Sequence, residues 1–125
     1  MKRLVVVLVL LWPVAGMAGA GFHTGNQLQE WCVGTYMGEP NFSVAKYNQC
    51  VAYLAGISDS AKALSAWGYR NNGIAPTGSC IPKGVTVEQL RAAWLKYASK
   101  QPENLHLAAS TQVLAAIYEA WPCKR

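Results

Sequence analysis

Four cysteines are spread widely along a chain of 125 residues. They are Cys32, Cys50, Cys80 and Cys123. None belongs to a Cys-x-x-Cys pair, and the two histidines, His23 and His106, have no metal-ligand spacing to any of them. A zinc site is therefore disfavoured, and two disulfide bonds are the expected use of the four thiols. Disulfides persist in oxidising compartments, so we expect an exported protein.

The N-terminus has the pattern of a secretory signal peptide covering residues 1–20. A basic dipeptide precedes an unbroken apolar run, Leu4 to Leu11, and small residues lead up to Ala20. We expect cleavage after Ala20, which leaves residues 21–125 as one domain without a membrane anchor. The alternative, a spanning helix, needs about 20 apolar residues. Pro13 and Gly16 interrupt the apolar sequence soon after Leu11.

The charge of the mature part argues against a nucleic-acid partner. The chain has eleven Lys and Arg against six Asp and Glu, so removing the two basic residues of the signal leaves nine against six, or +3. The remaining basic residues are scattered, with no run longer than Lys124-Arg125. A nucleic-acid-binding protein should instead carry a basic patch or stripe.

Apolar residues recur with a helical period through the mature part, and no series of alternating, strand-like runs occurs. We therefore predict an all-α fold, a compact bundle of about four helices. Ser43 is a good N-cap, and Thr86 with Gln89 forms a capping box. The stretch from Gly68 to Gly84 has turn residues and no period, which predicts a long loop. The helices are expected at Gln27 to Tyr36, Ser43 to about Trp67, from Thr86 onward, and Pro102 to about Trp121.

The second and fourth helices carry the apolar residues that define their expected packing. The second has one stripe of Tyr47, Val51, Leu54, Ala61 and Leu64. The fourth is apolar on two sides, the first with Leu105, Ala109, Ala116, Ile117 and Ala120, the second with Leu107, Leu114, Tyr118 and Trp121. One compact core cannot easily cover both sides, which predicts a homodimer.

Helix hairpins also predict how the cysteines pair. In two antiparallel helices, residues lie opposite one another when their numbers sum to twice the turn centre. The turn between the first two predicted helices is centred near residue 41, and the turn between the last two falls after Gln101. The cysteine pairs that satisfy this rule are Cys32–Cys50 and Cys80–Cys123.

The inventory of reactive groups does not favour an enzyme. The cysteines are assigned to disulfides, the six carboxylates form no close pair on one predicted helix face, and no histidine accompanies a free thiol or a Gly-flanked serine. We expect no catalysis, no cofactor and no metal. His23 is expected in a flexible tail, and His106 is expected to be an ordinary hydrogen-bonded histidine.

Four phrases of the chain, in this order and spacing, resemble the Rap/Tai family of periplasmic immunity proteins of bacterial type VI secretion. The phrases are Cys50 to Asp59, Cys80 to Thr86 with Gln89, Pro102 to His106, and Trp121-Pro122-Cys123. The resemblance spans most of the mature chain but not the segment from Gly68 to Ser79. It implies a small helical dimer in the periplasm that binds a peptidoglycan amidase effector and blocks its active site.

The predicted loop supplies the candidate effector-binding residues. It offers an aromatic ring, an arginine, amide groups and an apolar tip, a mixture favoured at interface hot spots. Those residues are Tyr69, Arg70, Asn71, Asn72 and Ile74. The alternative is a merely solvated connection between helices.

Two other functions remain open for a small, disulfide-bonded helical protein. One is an acid-stress chaperone, although six acidic residues and two histidines provide little charge to switch at low pH. The other is an inhibitor of lysozyme-type glycosidases, which would use the same insertion of a loop into a cleft.

Overall fold

The computed structural model describes residues 22–34, 40, 42–70 and 80–123. Four α-helices make up most of these residues, together with a short 3-10 helix at Pro102–Asn104, and they include no β-strand. The α-helices are α1 (Gly25–Cys32), α2 (Val44–Arg70), α3 (Val87–Lys100) and α4 (Ala109–Ala120). Each helix packs against the other three, which confirms the predicted all-α bundle.

Helix α1 starts earlier and ends earlier than the predicted Gln27 to Tyr36. Thr24 is the N-cap and forms a capping box with Gln27, and the backbone N–H of Gly25 donates to the Leu107 carbonyl at 3.0 Å. The helix ends at Cys32 because Gly34 adopts a left-handed conformation, with φ of 66°. The predicted end at Tyr36 lies outside the described residues.

Helix α2 is the longest, with 27 residues. Ser43 caps it as predicted, because its Oγ accepts the backbone N–H of Lys46. The expected end near Trp67 is wrong, since the helix continues to Arg70. The predicted stripe is correct at Leu54 and Ala61, both 1% exposed, but wrong at Leu64, which is 46% exposed.

Helix α3 opens at Thr86 as predicted, where both hydrogen bonds of the capping box with Gln89 are present. The expected single helix from Pro102 onward is wrong. Pro102 starts only the 3-10 helix, and α4 begins at Ala109. The chain leaves helical geometry between them because the Ala109 N–H donates to the His23 carbonyl at 2.8 Å, while the Leu105 carbonyl accepts from the N-terminus of α1.

The core lies between all four helices and is centred on Trp94, which is fully buried. Leu28 of α1, Leu54 of α2 and Val113 of α4 surround it in one apolar cluster. Both predicted disulfides, Cys32–Cys50 and Cys80–Cys123, are present. No helix in the described part of the chain is long and apolar enough to cross a bilayer.

Candidate functional site

The five predicted effector-binding residues divide between α2 and a segment that the structure does not describe. Tyr69 and Arg70 belong to the last turn of α2, so they do not stand in a loop as the sequence suggested. Asn71, Asn72 and Ile74 lie outside the described residues. The structure therefore places the first two on a regular helix and leaves the position of the other three untested.

The side chains of α2 that are described beyond Ala61 are all exposed. Tyr53 and Ile57 are half-buried against the core, and Leu64 continues the same side of the helix yet is 46% exposed. Lys62, Ala63 and Ala66 are exposed as well. We call residues 62–70 the outer end of α2. Its nine residues extend about 13 Å along the helix axis beyond Ala61 at the α-helical rise, and Tyr69 and Arg70 form its last two residues.

The chain returns to the bundle at Cys80, which is covalently joined to Cys123 just after α4. A backbone hydrogen bond of 2.8 Å from the Cys80 N–H to the Trp121 carbonyl supports this junction. Gly84 then turns the chain into α3 with a positive φ of 86°. The segment that contains Asn71, Asn72 and Ile74 is therefore held at both of its ends, by α2 and by a disulfide.

Three half-buried aromatic side chains form a second candidate surface, which we call the aromatic cluster. The rings of His23, Trp31 and Tyr53 meet edge to face, with centroid distances of 4.9 Å for His23–Trp31 and 5.7 Å for His23–Tyr53. Burial raises the pKa of Tyr53 above 10.0, and hydrogen bonds with Ser110 oppose that shift. Beside the cluster in sequence, Phe22 is fully exposed.

His23 is thus not in a flexible tail, contrary to the sequence expectation. Its carbonyl accepts the Ala109 N–H, and its ring packs on α1 and α2. The hairpin rule that pairs the cysteines of α1 and α2 also places Trp31 near Tyr53. Nothing local in the sequence places His23 beside them, because its position depends on hydrogen bonds to residues more than eighty positions away.

A polar network joins the end of α1 to the starts of α2 and α3. The Arg91 side chain is 3% exposed, and its Nε and Nη2 donate to the Cys32 carbonyl at 2.9 and 2.7 Å. Glu88 pairs with Arg91 at 3.4 Å and accepts a hydrogen bond of 2.7 Å from the Tyr47 hydroxyl. That hydrogen bond is the main reason that the pKa of Tyr47 lies above 10.0. A cation at the carboxyl end of a helix is favourable, so this network stabilises the fold.

The titratable groups form ion pairs that tie helices together. Lys46 binds Glu30 at 2.8 Å, and Lys100 binds Glu119, which holds the pKa of Glu119 below 4.5.

His106 contacts the carbonyl of Glu103 through Nδ1 at 2.9 Å. Among the residues that the structure describes, no group of three or more His, Cys, Asp or Glu is arranged to hold a metal.

The second apolar side of the predicted fourth helix is divided by the structure. Leu107 and Tyr118 are 49% and 51% exposed, whereas Leu114 and Trp121 are half-buried. On the first side, Ala109, Ala116 and Ile117 are buried, but Ala120 is exposed. The bundle therefore covers most of one side of α4 and leaves two large apolar side chains in contact with solvent.

Comparison with known proteins assigns the whole described bundle to one family. A family model of Rap1a immunity proteins matches residues 24–123. The match begins at the N-cap of α1 and ends at the last cysteine, so it includes all four helices and both disulfides. Neither a search of curated proteins nor a search of solved structures found a match. The chain belongs to the Rap1a immunity protein family.

Proposed function

We propose that the protein is a periplasmic immunity protein that binds a peptidoglycan amidase effector of type VI secretion and inhibits it by covering its active site. The observation that carries the proposal is the family match over residues 24–123. Membership in an immunity family implies a cognate effector as the binding partner. The amidase and its cleft are the more specific part of the proposal, and they rest on the resemblance of the cysteine-containing phrases.

The periplasmic location is supported by two features of the chain. The residues 1–20 have the pattern of a signal peptide, and both disulfides are of the kind that persists outside the reducing cytoplasm. Fractionation of producing cells, with mass determination of the mature protein, tests this part. We expect periplasmic protein that begins at Gly21, whereas full-length protein in the cytoplasm would contradict it.

We propose that the outer end of α2, with the segment that follows it, is the part that enters the effector cleft. Lys62, Ala63 and Ala66 of this part are exposed, and Leu64 offers a half-exposed apolar side chain within it. Tyr69 and Arg70 are of the residue types that dominate hot spots. Anchoring the segment at α2 and at Cys80 reduces the conformational entropy lost on binding.

The decisive measurement is to search the neighbouring genes for a peptidoglycan amidase and to test whether the protein inhibits it. Purified protein should abolish cleavage of peptidoglycan peptides by that amidase at a stoichiometric ratio. The triple variant Tyr69→Ala, Arg70→Ala and Ile74→Ala should bind at least about 100-fold more weakly, as expected when several hot-spot side chains are truncated together. Circular dichroism checks that the triple variant still folds.

A matched control is the variant Val44→Ala, which removes an exposed apolar side chain from the opposite end of α2. It should inhibit as the wild type does. Unchanged affinity of the triple variant would refute the role of the outer end of α2 while leaving the immunity function intact.

Failure of the wild type to inhibit the amidase, combined with inhibition of lysozyme or with protection of acid-denatured clients, would instead favour one of the two alternative functions.

We also propose that the protein forms a homodimer through a surface that includes Leu107, just before α4, and Tyr118 of α4, which are about half exposed. Large apolar side chains in solvent favour association. Sedimentation should then show a dimer at tens of micromolar, the order at which a moderately strong dimer is populated. The double variant Leu107→Ser and Tyr118→Ser should be monomeric, and a monomeric wild type would contradict this part.

A further inference from the structure

The two disulfides differ in how much of each is accessible to solvent. Cys32 and Cys50 are both 0% exposed and belong to the apolar core cluster. Cys80 is exposed and Cys123 is half-buried. We call the first pair the buried bridge and the second pair the exposed bridge.

Accessibility decides whether a folded protein can exchange a disulfide. Exchange requires a thiolate to approach one sulfur along the S–S axis, and a bridge in the core meets this requirement only when the core opens. The buried bridge is further enclosed because the Cys32 carbonyl is covered by the side chain of Arg91, itself 3% exposed. Cys80 of the exposed bridge, by contrast, is solvent-exposed.

Basic residues lie close in sequence to both cysteines of the exposed bridge. Lys83 is exposed and lies three residues after Cys80, and Lys124 and Arg125 directly follow Cys123 in the sequence. Cations stabilise the thiolate that leaves when the S–S bond breaks. The nearest carboxylate before Cys123 in the sequence, Glu119, is already paired with Lys100.

We propose that the exposed bridge is a site of reversible thiol–disulfide exchange with an external dithiol, such as a dithiol oxidoreductase, and that the buried bridge is a permanent cross-link. In the forward direction one thiolate of the dithiol attacks a sulfur of the Cys80–Cys123 bond, and the other sulfur leaves as a thiolate. The second thiol of the dithiol resolves the mixed disulfide. The dithiol is oxidised by two electrons, and Cys80 and Cys123 are reduced to two thiols.

Reduction of the exposed bridge leaves a folded bundle. The buried core side chains of α3 and α4, including Trp94, Val113 and Ile117, belong to a cluster that contains neither Cys80 nor Cys123. The exchange therefore separates two folded states that differ in whether residue 80 is tied to the end of α4. This inference is independent of the identity of the effector, because its readout is the state of the cysteines.

Timed reduction followed by alkylation tests the proposal. The oxidised full-length mature protein is incubated with dithiothreitol in native buffer, samples are trapped with iodoacetamide, and each cysteine is quantified by peptide mapping. We expect Cys80 and Cys123 to be labelled about 100-fold or more faster than Cys32 and Cys50, because the second pair waits for opening of the core. Far-UV circular dichroism should not change while the first pair reacts.

Two controls make the result specific. In concentrated urea, where the core is open, the two bridges should be reduced at similar rates. The variant Cys80→Ser with Cys123→Ser should fold and lose the fast labelling phase. Simultaneous labelling of all four cysteines in native buffer, or earlier labelling of Cys32 and Cys50, would overturn the proposal, and so would loss of helicity during the fast phase.

Discussion

The buried bridge and the exposed bridge stabilise the same small domain in different surroundings. The buried bridge closes a short stretch, with a sequence separation of 18, and is enclosed by the core and by Arg91. The exposed bridge closes a stretch with a separation of 43 and lies at the surface. In the chain-entropy model the stabilisation depends on loop length and not on burial. Burial instead decides accessibility to reductants, so thermodynamic and chemical stability are set by separate features.

The largest expected effects come from removing each bridge in turn. The variant Cys32→Ala with Cys50→Ala should lose about 5 kcal/mol of unfolding free energy, about 3 from loop closure and about 2 from two sulfurs removed from the core. The variant Cys80→Ser with Cys123→Ser should lose about 4 kcal/mol, from loop closure alone. Urea denaturation of both variants measures the difference. A greater loss for the exposed bridge would mean that packing around Cys32 and Cys50 contributes little.

The cover of the buried bridge is tested by Arg91→Met. We expect a loss of about 3 kcal/mol, because the buried Cys32 carbonyl loses two charge-assisted hydrogen bonds. Lys96→Met is the matched control on the same helix, and it should change stability by less than about 0.5 kcal/mol since Lys96 is exposed. Thermal unfolding compares the two. Equal effects would show that the arginine does not stabilise this region.

The same contrast between packed and open positions applies to two glycines. A Cβ at Gly25 would lie 2.7 Å from Nε2 of Gln112 and 2.9 Å from the Leu105 carbonyl oxygen, whereas a Cβ at Gly56 would meet nothing within 4 Å. Gly25→Ala should therefore cost about 2 kcal/mol. Gly56→Ala should add about 0.5 to 1 kcal/mol, because alanine is the better residue within a helix. Destabilisation by both substitutions would contradict the described environment of Gly56.

The smallest expected effect is a change in pH dependence near the buried bridge. The Tyr47 hydroxyl donates to Glu88, which raises the pKa of Tyr47 in the folded protein above 10.0. This contribution to stability is fully present below pH 10.0 and is lost as the pH rises through the raised pKa. Tyr47→Phe should therefore show a smaller decline in stability above pH 10.0 than the wild type. An identical decline of stability in the variant and the wild type would show that Tyr47 does not contribute to this pH dependence.

Local signals in the sequence were sufficient for several elements. Thr86 with Gln89 and Ser43 begin helices where the sequence predicted, because a cap depends on groups within one turn. The bridges were predicted by treating consecutive helices as antiparallel hairpins. Cys80 lies before α3 and Cys123 lies after α4, so the second bridge joins the two open ends of its hairpin. Position along each hairpin was enough to select both pairs, Cys32–Cys50 and Cys80–Cys123.

The candidate site was only partly predictable. Tyr69 and Arg70 were selected for their side-chain chemistry, but their place on α2 was missed because the turn residues that follow suggested an earlier helix end. The position of His23 was missed because its partners, Trp31 and Tyr53, are brought to it by the fold. Residue type indicates what a side chain can bind, and it does not indicate which distant groups come near it.

The sequence by itself determined the helical class, the caps at Ser43 and Thr86, and the disulfide pairing of this immunity protein. The tertiary structure decided where α1 ends, where α4 begins and which bridge is exposed. The Arg91 side chain donates to the carbonyl of Cys32, the last residue of α1, which is 59 positions away in the sequence. The carbonyl of His23 accepts the N–H of Ala109, the first residue of α4. The helix ends and the exposure of each bridge depend on long-range hydrogen bonds and on burial, and both are established only when all four helices pack together.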